Sequence, residues 1–145
     1  MKKYFLPIIL CVITGIIMAR LMFNQYDTKL ASANVLNKAY FFQVGVFSKI
    51  ENMNKEASKY DSYIYIKKDN KYYVYIGITK DNYEKLQNYF DSLGYKTYVK
   101  EMEIDSSFES RLKEYDDKLK DSNNEDTKKI INDILKTYGE LNDKN

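Results

Sequence analysis

Histidine and tryptophan are absent from the chain, and cysteine and proline occur once each. The lack of histidine removes the usual general base and the commonest metal ligand. Cys11 lies inside an apolar run, so there is no disulfide framework and cysteine usage indicates no redox compartment. Nucleophile–base pairs, glycine-rich phosphate loops and cysteine clusters are missing as well. Glu101 and Glu103 share one strand face, the barest outline of a glycosidase pair, but two glutamates at a strand end read as solvated charge. The expectation is a protein that is not an enzyme and uses no cofactor or metal.

Tyrosine is abundant, with fifteen residues in 145. The first apolar run is equally distinctive. Met1-Lys2-Lys3 precedes YFLPIILCVITGIIMARLMF, residues 4 to 23. Twenty helical residues span about 30 Å, the thickness of a bilayer's hydrocarbon core. Arg20 lies near the far end, where a long stem snorkels to the headgroups. A retained single-pass anchor, with Tyr4, Ile9, Ile13, Ile17 and Phe23 in the bilayer, fits better than a cleaved signal peptide. Cleavage needs small residues directly after the apolar run, whereas Ala31-Ser32-Ala33 comes more than ten residues after Ala19. The positive cluster of Lys2, Lys3 and the amino terminus keeps the N-terminus cytoplasmic and the remainder extracytoplasmic. Five of the 23 basic and one of the 21 acidic residues precede residue 39, leaving 18 against 20, a net −2, in the exterior part. A nucleic-acid binder carries a basic footprint, and this portion carries none.

The expected organisation has four parts: residues 1–23 as cytoplasmic tip and anchor, 24–38 as a stalk, 39–104 as a small domain, and 105–145 as a helical hairpin. The stalk, NQYDTKLASANVLNK, reaches about 50 Å at most when extended.

The domain is a repeat. YFFQVGVFSKIENMNKEA, from Tyr40, recurs 32 residues later as YYVYIGITKDNYEKLQNYF, with Gly77 matching Gly45. Strict alternation puts Phe42, Val44 and Val46 on one strand face and Phe41, Gln43 and Gly45 on the other. It likewise separates Val74, Ile76 and Ile78 from Tyr73, Tyr75 and Gly77, and Ile64 and Ile66 from Tyr63 and Tyr65. Lys68 to Lys71 is a hairpin turn by composition. Ser48 with Glu51, Asp81 with Glu84 and Ser106 with Glu109 predict capping boxes, and Gly94 predicts a helix stop. Val99 points inward and Tyr98 outward on the last strand. The order β-α-β-β-α-β predicts an α+β fold: a split βαβ repeat with a four-stranded antiparallel sheet and two helices on one face. Residues 105–145 show two amphipathic stripes, Phe108–Leu112–Tyr115–Leu119 and Ile130–Ile131–Ile134–Leu135–Tyr138, broken at Asp121 to Asn124. They predict two helices that pack on the domain or on each other, or that dock a partner.

If the helices cover one face, the other displays Phe41, Gln43, Tyr63, Tyr65, Tyr73, Tyr75 and Tyr98, with bare backbone at Gly45 and Gly77. Tyrosine joins a flat apolar ring to a polar hydroxyl, which suits stacking on sugars or bases. Gln43 offers donors and an acceptor to hydroxyls and acetamides. The alternative is that the tyrosines pair across strands and the glycines mark bulges.

These residues resemble the SPOR (sporulation-related repeat) domain, whose halves typically read Val-Gln-Val-Gly-x-Phe-Ser and Tyr-Arg-Val-x-Val-Gly. Phe42-Gln43-Val44-Gly45-Val46-Phe47-Ser48 follows the first motif, and the likeness covers residues 39 to about 102. The second motif departs from it at Tyr73, where arginine is common, and at Ile78-Thr79, where Pro-Phe is common. The resemblance implies a bacterial, membrane-anchored protein of cell division or sporulation. Such a protein binds septal peptidoglycan through glycan strands stripped of stem peptides, with Gln43 in the site. The expected partners are therefore glycan strands and the lipid bilayer, with a division or sporulation protein at residues 105–145 and no nucleic acid. A second reading is an exterior protein-interaction module at the membrane, without glycan binding, acting through the C-terminal helices. RNA-recognition domains share the element order, but the net charge and the anchor oppose that reading.

Overall fold

The computed structural model describes residues 37–142. Among them no helix is long and apolar enough to cross a membrane. The expected anchor and nearly all of the stalk lie outside the described residues.

The chain forms β1 (Lys38–Phe47), α1 (Ile50–Ala57), β2 (Ile64–Lys68), β3 (Lys71–Thr79), α2 (Tyr83–Ser92), β4 (Tyr98–Glu103), α3 (Ser106–Lys120) and α4 (Asn124–Asn142). The strands make one sheet in the order β2-β3-β1-β4, with every neighbouring pair antiparallel. The fold is α+β, with a four-stranded antiparallel sheet and four helices, as the residue patterns predict.

Local chemistry explains most of the boundaries. Asp69 and Asn70 both take positive φ, 50° and 57°. A two-residue hairpin of this hand needs both central residues there, and Asp and Asn tolerate it best after glycine. The turn fixes Lys68 opposite Lys71 and sets the β2–β3 register. Gly94 ends α2 at φ 73°, with its own N–H bonded to the Asp91 carbonyl and the Tyr95 N–H to that of Phe90.

The three capping boxes do not form. The helix N-caps are Lys49, Asn82 and Asp105, and only Asp105 uses its side chain, accepting from the backbone N–H groups of Ser107 and Phe108. At α3 the carboxylate one residue upstream takes the role expected of the Ser106 hydroxyl, because an anion is the stronger acceptor at a helix N-terminus. At α2 the Thr79 hydroxyl and the distant Asp116 carboxylate accept instead. The Asn82 N–H donates to Thr79 Oγ1 at 3.0 Å, and the Asp81 N–H donates to Asp116 at 3.1 Å.

The sheet carries layers on both faces. On the inner face Phe42 packs against Phe90 and Tyr83 of α2, while Val74 joins Met53 and Ala57 of α1. The outer face is covered in part by the C-terminal hairpin. Phe41 meets Tyr138 edge-on at 5.3 Å, Tyr138 meets Phe108 at 4.9 Å, and Leu112, Leu119, Ile131, Ile134 and Leu135 complete this core. The apolar stripes of α3 and α4 are thus turned onto the sheet and each other. A repeat unit of about 65 residues buries little surface alone, and the hairpin supplies it with a second core.

Two irregularities shift the side-chain pattern. Between β1 and β3 the register slips after Phe42 and again between Gln43 and Gly45, so Ile76 and then Val44 are extra residues without a cross-strand partner. An added residue reverses the faces beyond it. Val74 therefore stays inside whereas Ile78, opposite Phe41, lies outside, and Val46 turns outward opposite Tyr73. Ile64 and Ile66 pair with Tyr75 and Tyr73 and share their outer face, while Tyr65, opposite Val74, faces inward. These are corrections to the faces that strict alternation assigns.

Candidate functional site

The eight residues expected on an open face separate into three groups. Phe41 (0% exposed), Tyr75 (3%) and Gln43 (6%) are buried. Phe41 and Tyr75 lie in one core with the hairpin, their rings edge-to-face at 5.5 Å. Burial holds the Tyr75 phenol above its ordinary pKa, with Tyr138 adding to the shift, and burial raises Tyr138 likewise. These rings are core and not display.

Gly45 and Tyr65 form the second group, on the inner side. A Cβ on Gly45 would stand 2.7 Å from the Phe47 ring, and one on Gly77 would stand 2.7 Å from the Phe90 ring. The repeated glycine therefore makes room for an aromatic ring of the protein itself. This corrects the expectation that bare backbone awaits a flat ligand.

The third group stays accessible: Tyr73, Tyr63 and Tyr98, the last 69% exposed. Tyr63 stands just before β2, beside Asn132, Leu135 and Lys136 of α4. Tyr73 belongs to an uncovered part of the outer face, a groove of about 280 Å³ lined by Ile66, Lys68, Asp69, Tyr73, Tyr75, Lys100 and Met102. Its volume is at the low end for a small-molecule site. The Lys100 ammonium lies 4.9 Å from the Tyr73 ring centroid, within cation–π range. Gln43 sits in the same face between its register partners Tyr75 and Tyr98. Its side-chain oxygen is buried and has no hydrogen-bond partner. A buried oxygen without a partner costs about 1–3 kcal/mol.

Sequence reasoning missed Lys100, Lys68, Ile66 and Met102. Their alternation places them on one face, but only the sheet order shows that β2 and β4 both flank the strands carrying Tyr73 and Gln43. The missed structural residue is Asp116. Its buried carboxylate accepts from the Thr79 hydroxyl, from the Lys80 N–H at 2.7 Å and from the Asp81 N–H. The Asn82 amide donates to its carbonyl at 2.7 Å. Lys80 also pairs with Glu109, and the Lys85 ammonium reaches the Lys120 and Ser122 carbonyls at the end of α3. These bonds pin the hairpin to the β3–α2 loop. Lys128 with Asp61, at 2.9 Å, ties α4 to the segment before β2. Glu101 of the glutamate pair is bonded to Lys38 at 2.7 Å, both half exposed.

A larger open cleft lies on the inner side, lined by Tyr40, Tyr83, Val99, Glu101 and the start of α2. Its charges are mixed, with Lys80 and Lys85 beside Asp81, Glu84 and Glu101, and no buried polar group in it lacks a partner. The Tyr73 groove is the stronger candidate. Comparison of the chain with protein-family models, with curated proteins and with solved structures finds no match in any of the three.

Proposed function

We propose that the protein is a membrane-anchored, extracytoplasmic glycan-binding module of the SPOR kind, with its ligand in the Tyr73 groove and not across the whole sheet face. The repeat with its Phe-Gln-Val-Gly-Val-Phe-Ser motif supports the family reading, and the N-terminal apolar run supports the anchor. The observation that carries the site is the groove itself. An accessible tyrosine with a lysine over its ring, between the apolar side chains of Ile66 and Met102, is a set of groups suited to a sugar. Ring faces stack on pyranose C–H surfaces, and the lysine donates to hydroxyls and acetamides. Tyr73 stands where the SPOR motif commonly has arginine. In this chain a cation reaches the same place from β4, as Lys100. Division and sporulation are both served by such a module at the septum.

The test is co-sedimentation of the full chain, in neutral detergent, with purified sacculi, half of them treated with an amidase to strip stem peptides. Binding that rises with stripping is the expected result. Absence of binding to both samples would overturn the reading.

A further inference from the structure

We infer that the free edge of β4 pairs with β4 of a second copy of this chain, antiparallel across a two-fold axis that meets the sheet at Val99. The inference does not depend on the glycan reading.

Among the described residues β4 has β1 on one side and no strand on the other. One hydrogen bond shows which of its backbone groups are left over. The Ile104 N–H donates to the Asn37 carbonyl at 2.7 Å, and this pair continues the register in which Lys38 opposes Glu103. Bonded and unbonded pairs alternate along an antiparallel ladder. Met102, Lys100 and Tyr98 therefore turn their N–H and C=O groups to β1, while Glu103, Glu101 and Val99 turn theirs away. A row of unpaired groups of this kind is a template for another strand. Proline and bulges, which blunt many edges, are missing, since β4 keeps one register with β1 along its whole length. Open space flanks the strand on both faces, beside Val99 and Glu101 on the inner side and beside Lys100 and Met102 on the outer. At the other edge of the sheet α4 is tied to the chain just ahead of β2, where the Ser62 hydroxyl donates to Asn132 at 2.9 Å. Tyr98 on β4 is also the most exposed large apolar side chain among the described residues.

Charge selects the occupant and its register. An axis at Lys100 sets Lys100 against Lys100 of the second copy, and an axis at Glu101 sets glutamate against glutamate. An axis at Tyr98 opposes Lys96 to Lys100, and one at Met102 opposes Glu101 to Glu103. Like charges placed directly opposite destabilise a sheet. With the axis at Val99 no like charges face each other. Val99 meets Val99 and exchanges both backbone bonds with it, Thr97 meets Glu101, and Tyr98 meets Lys100. The Tyr98–Lys100 pairs fall at unbonded positions, where Cα atoms approach to about 4.5 Å and an ammonium reaches a ring. The charges on this edge thus oppose the neighbouring registers and leave one, so the strand rejects indiscriminate pairing and accepts a second copy of itself.

The experiment uses the full chain in neutral detergent, with Cys11→Ser as background and single cysteines placed on the edge. Tyr98→Cys and Lys100→Cys chains are oxidised separately and as an equimolar mixture. Lys113→Cys, exposed on α3, measures casual collision. An axis at Val99 brings position 98 of one copy opposite position 100 of the other, within disulfide reach. It leaves like positions on the diagonal, about 7–8 Å apart. Disulfide dimers are expected several-fold more abundantly in the mixture than in either separate sample. Glu101→Pro, added to both chains, should bring the yield down to that of Lys113→Cys. It deletes an N–H that points away from β1 and spares the β1–β4 bonds, and a melting curve checks that the variant folds. Equal yield in a separate sample, or a mixture yielding no more than Lys113→Cys, would overturn the inference. So would a folded Glu101→Pro chain with undiminished yield. The cysteine samples decide the question by themselves if the proline variant does not fold.

Discussion

Tyr73 and Tyr75 lie two residues apart on one strand and share one face of the sheet, yet they do different work. Tyr75 is almost wholly buried with Phe41 against the hairpin and gives the groove only an edge, while Tyr73 opens onto that groove beside Lys100. The difference does not arise from the residues themselves. It arises from how far α3 and α4 reach across the sheet, and that reach is fixed by Asp116 and its neighbours at the β3–α2 loop. An aromatic face becomes a binding surface only where no other element of the chain has claimed it. Tyrosine content alone could not separate the two ends.

The sharpest way to break this comparison is to test whether the covered end is a core. Phe41→Ala should destabilise the fold by about 3–5 kcal/mol in denaturant unfolding, and Phe42→Ala on the inner face by a similar amount. Phe41 is fully buried and touches both Tyr75 and Tyr138. A loss below about 1 kcal/mol for Phe41 alone would mean that the hairpin is not packed on the sheet. Asp116→Ala should follow at about 1–3 kcal/mol, because it leaves the buried Thr79 hydroxyl and the Lys80 and Asp81 N–H groups without their acceptor. Asp116→Asn keeps one acceptor oxygen and should recover part of that loss.

A smaller effect separates Tyr75 from a surface tyrosine by pH. Burial raises the Tyr75 phenol above its ordinary pKa in the folded state, so the folded chain holds that proton more tightly than the unfolded one. The stabilisation is complete below the unfolded value, about pH 10, and is lost as pH rises through the higher folded value. Melting temperature should therefore fall with pH above about 10, and Tyr75→Phe should make the fall less steep. An unchanged alkaline slope in Tyr75→Phe would place the hydroxyl in contact with solvent.

The sequence shows how much of this arrangement is local. The repeat, the Lys68–Lys71 turn, the Gly94 stop and the break at Asp121 to Asn124 are carried by neighbouring residues, and the structure has each of them. Both helical stripes of the C-terminal region were also visible, since a 3.6-residue period survives whatever the helix later packs on. The faces of the strands were legible only in part: Phe41, Gln43, Tyr73, Tyr75 and Tyr98 lie on the expected face, whereas Gly45, Val46, Gly77, Ile78 and the residues of β2 do not. The extra residues Ile76 and Val44 reverse the alternation, and nothing in the composition of Gln43-Val44-Gly45 or Tyr75-Ile76-Gly77 marks a bulge apart from the glycines. Those glycines read equally well as ligand approaches until Phe47 and Phe90 were seen against them. Lys100 was hidden for another reason. It meets Tyr73 only through the sheet order, a contact 27 residues apart in sequence that no window on the chain contains.

The smallest expected effect on stability falls at the open end, and it gives the comparison its sharpest form. Tyr73→Ala removes a half-buried ring from a groove that water already reaches. It leaves no cavity and no orphaned hydrogen-bond partner, since the Tyr73 hydroxyl bonds to no described side chain. Unfolding should shift by about 1 kcal/mol or less. Binding to stripped glycan should nevertheless fall by about tenfold or more, because the ring is the platform on which a sugar would lie and the surface over which Lys100 is held. Tyr75→Ala should do the reverse, costing more stability than Tyr73→Ala and lowering the binding of the still-folded chain less. Tyr73→Ala that unfolds the chain would make the open end part of the core. Normal folding with undiminished binding would move the ligand off this groove altogether.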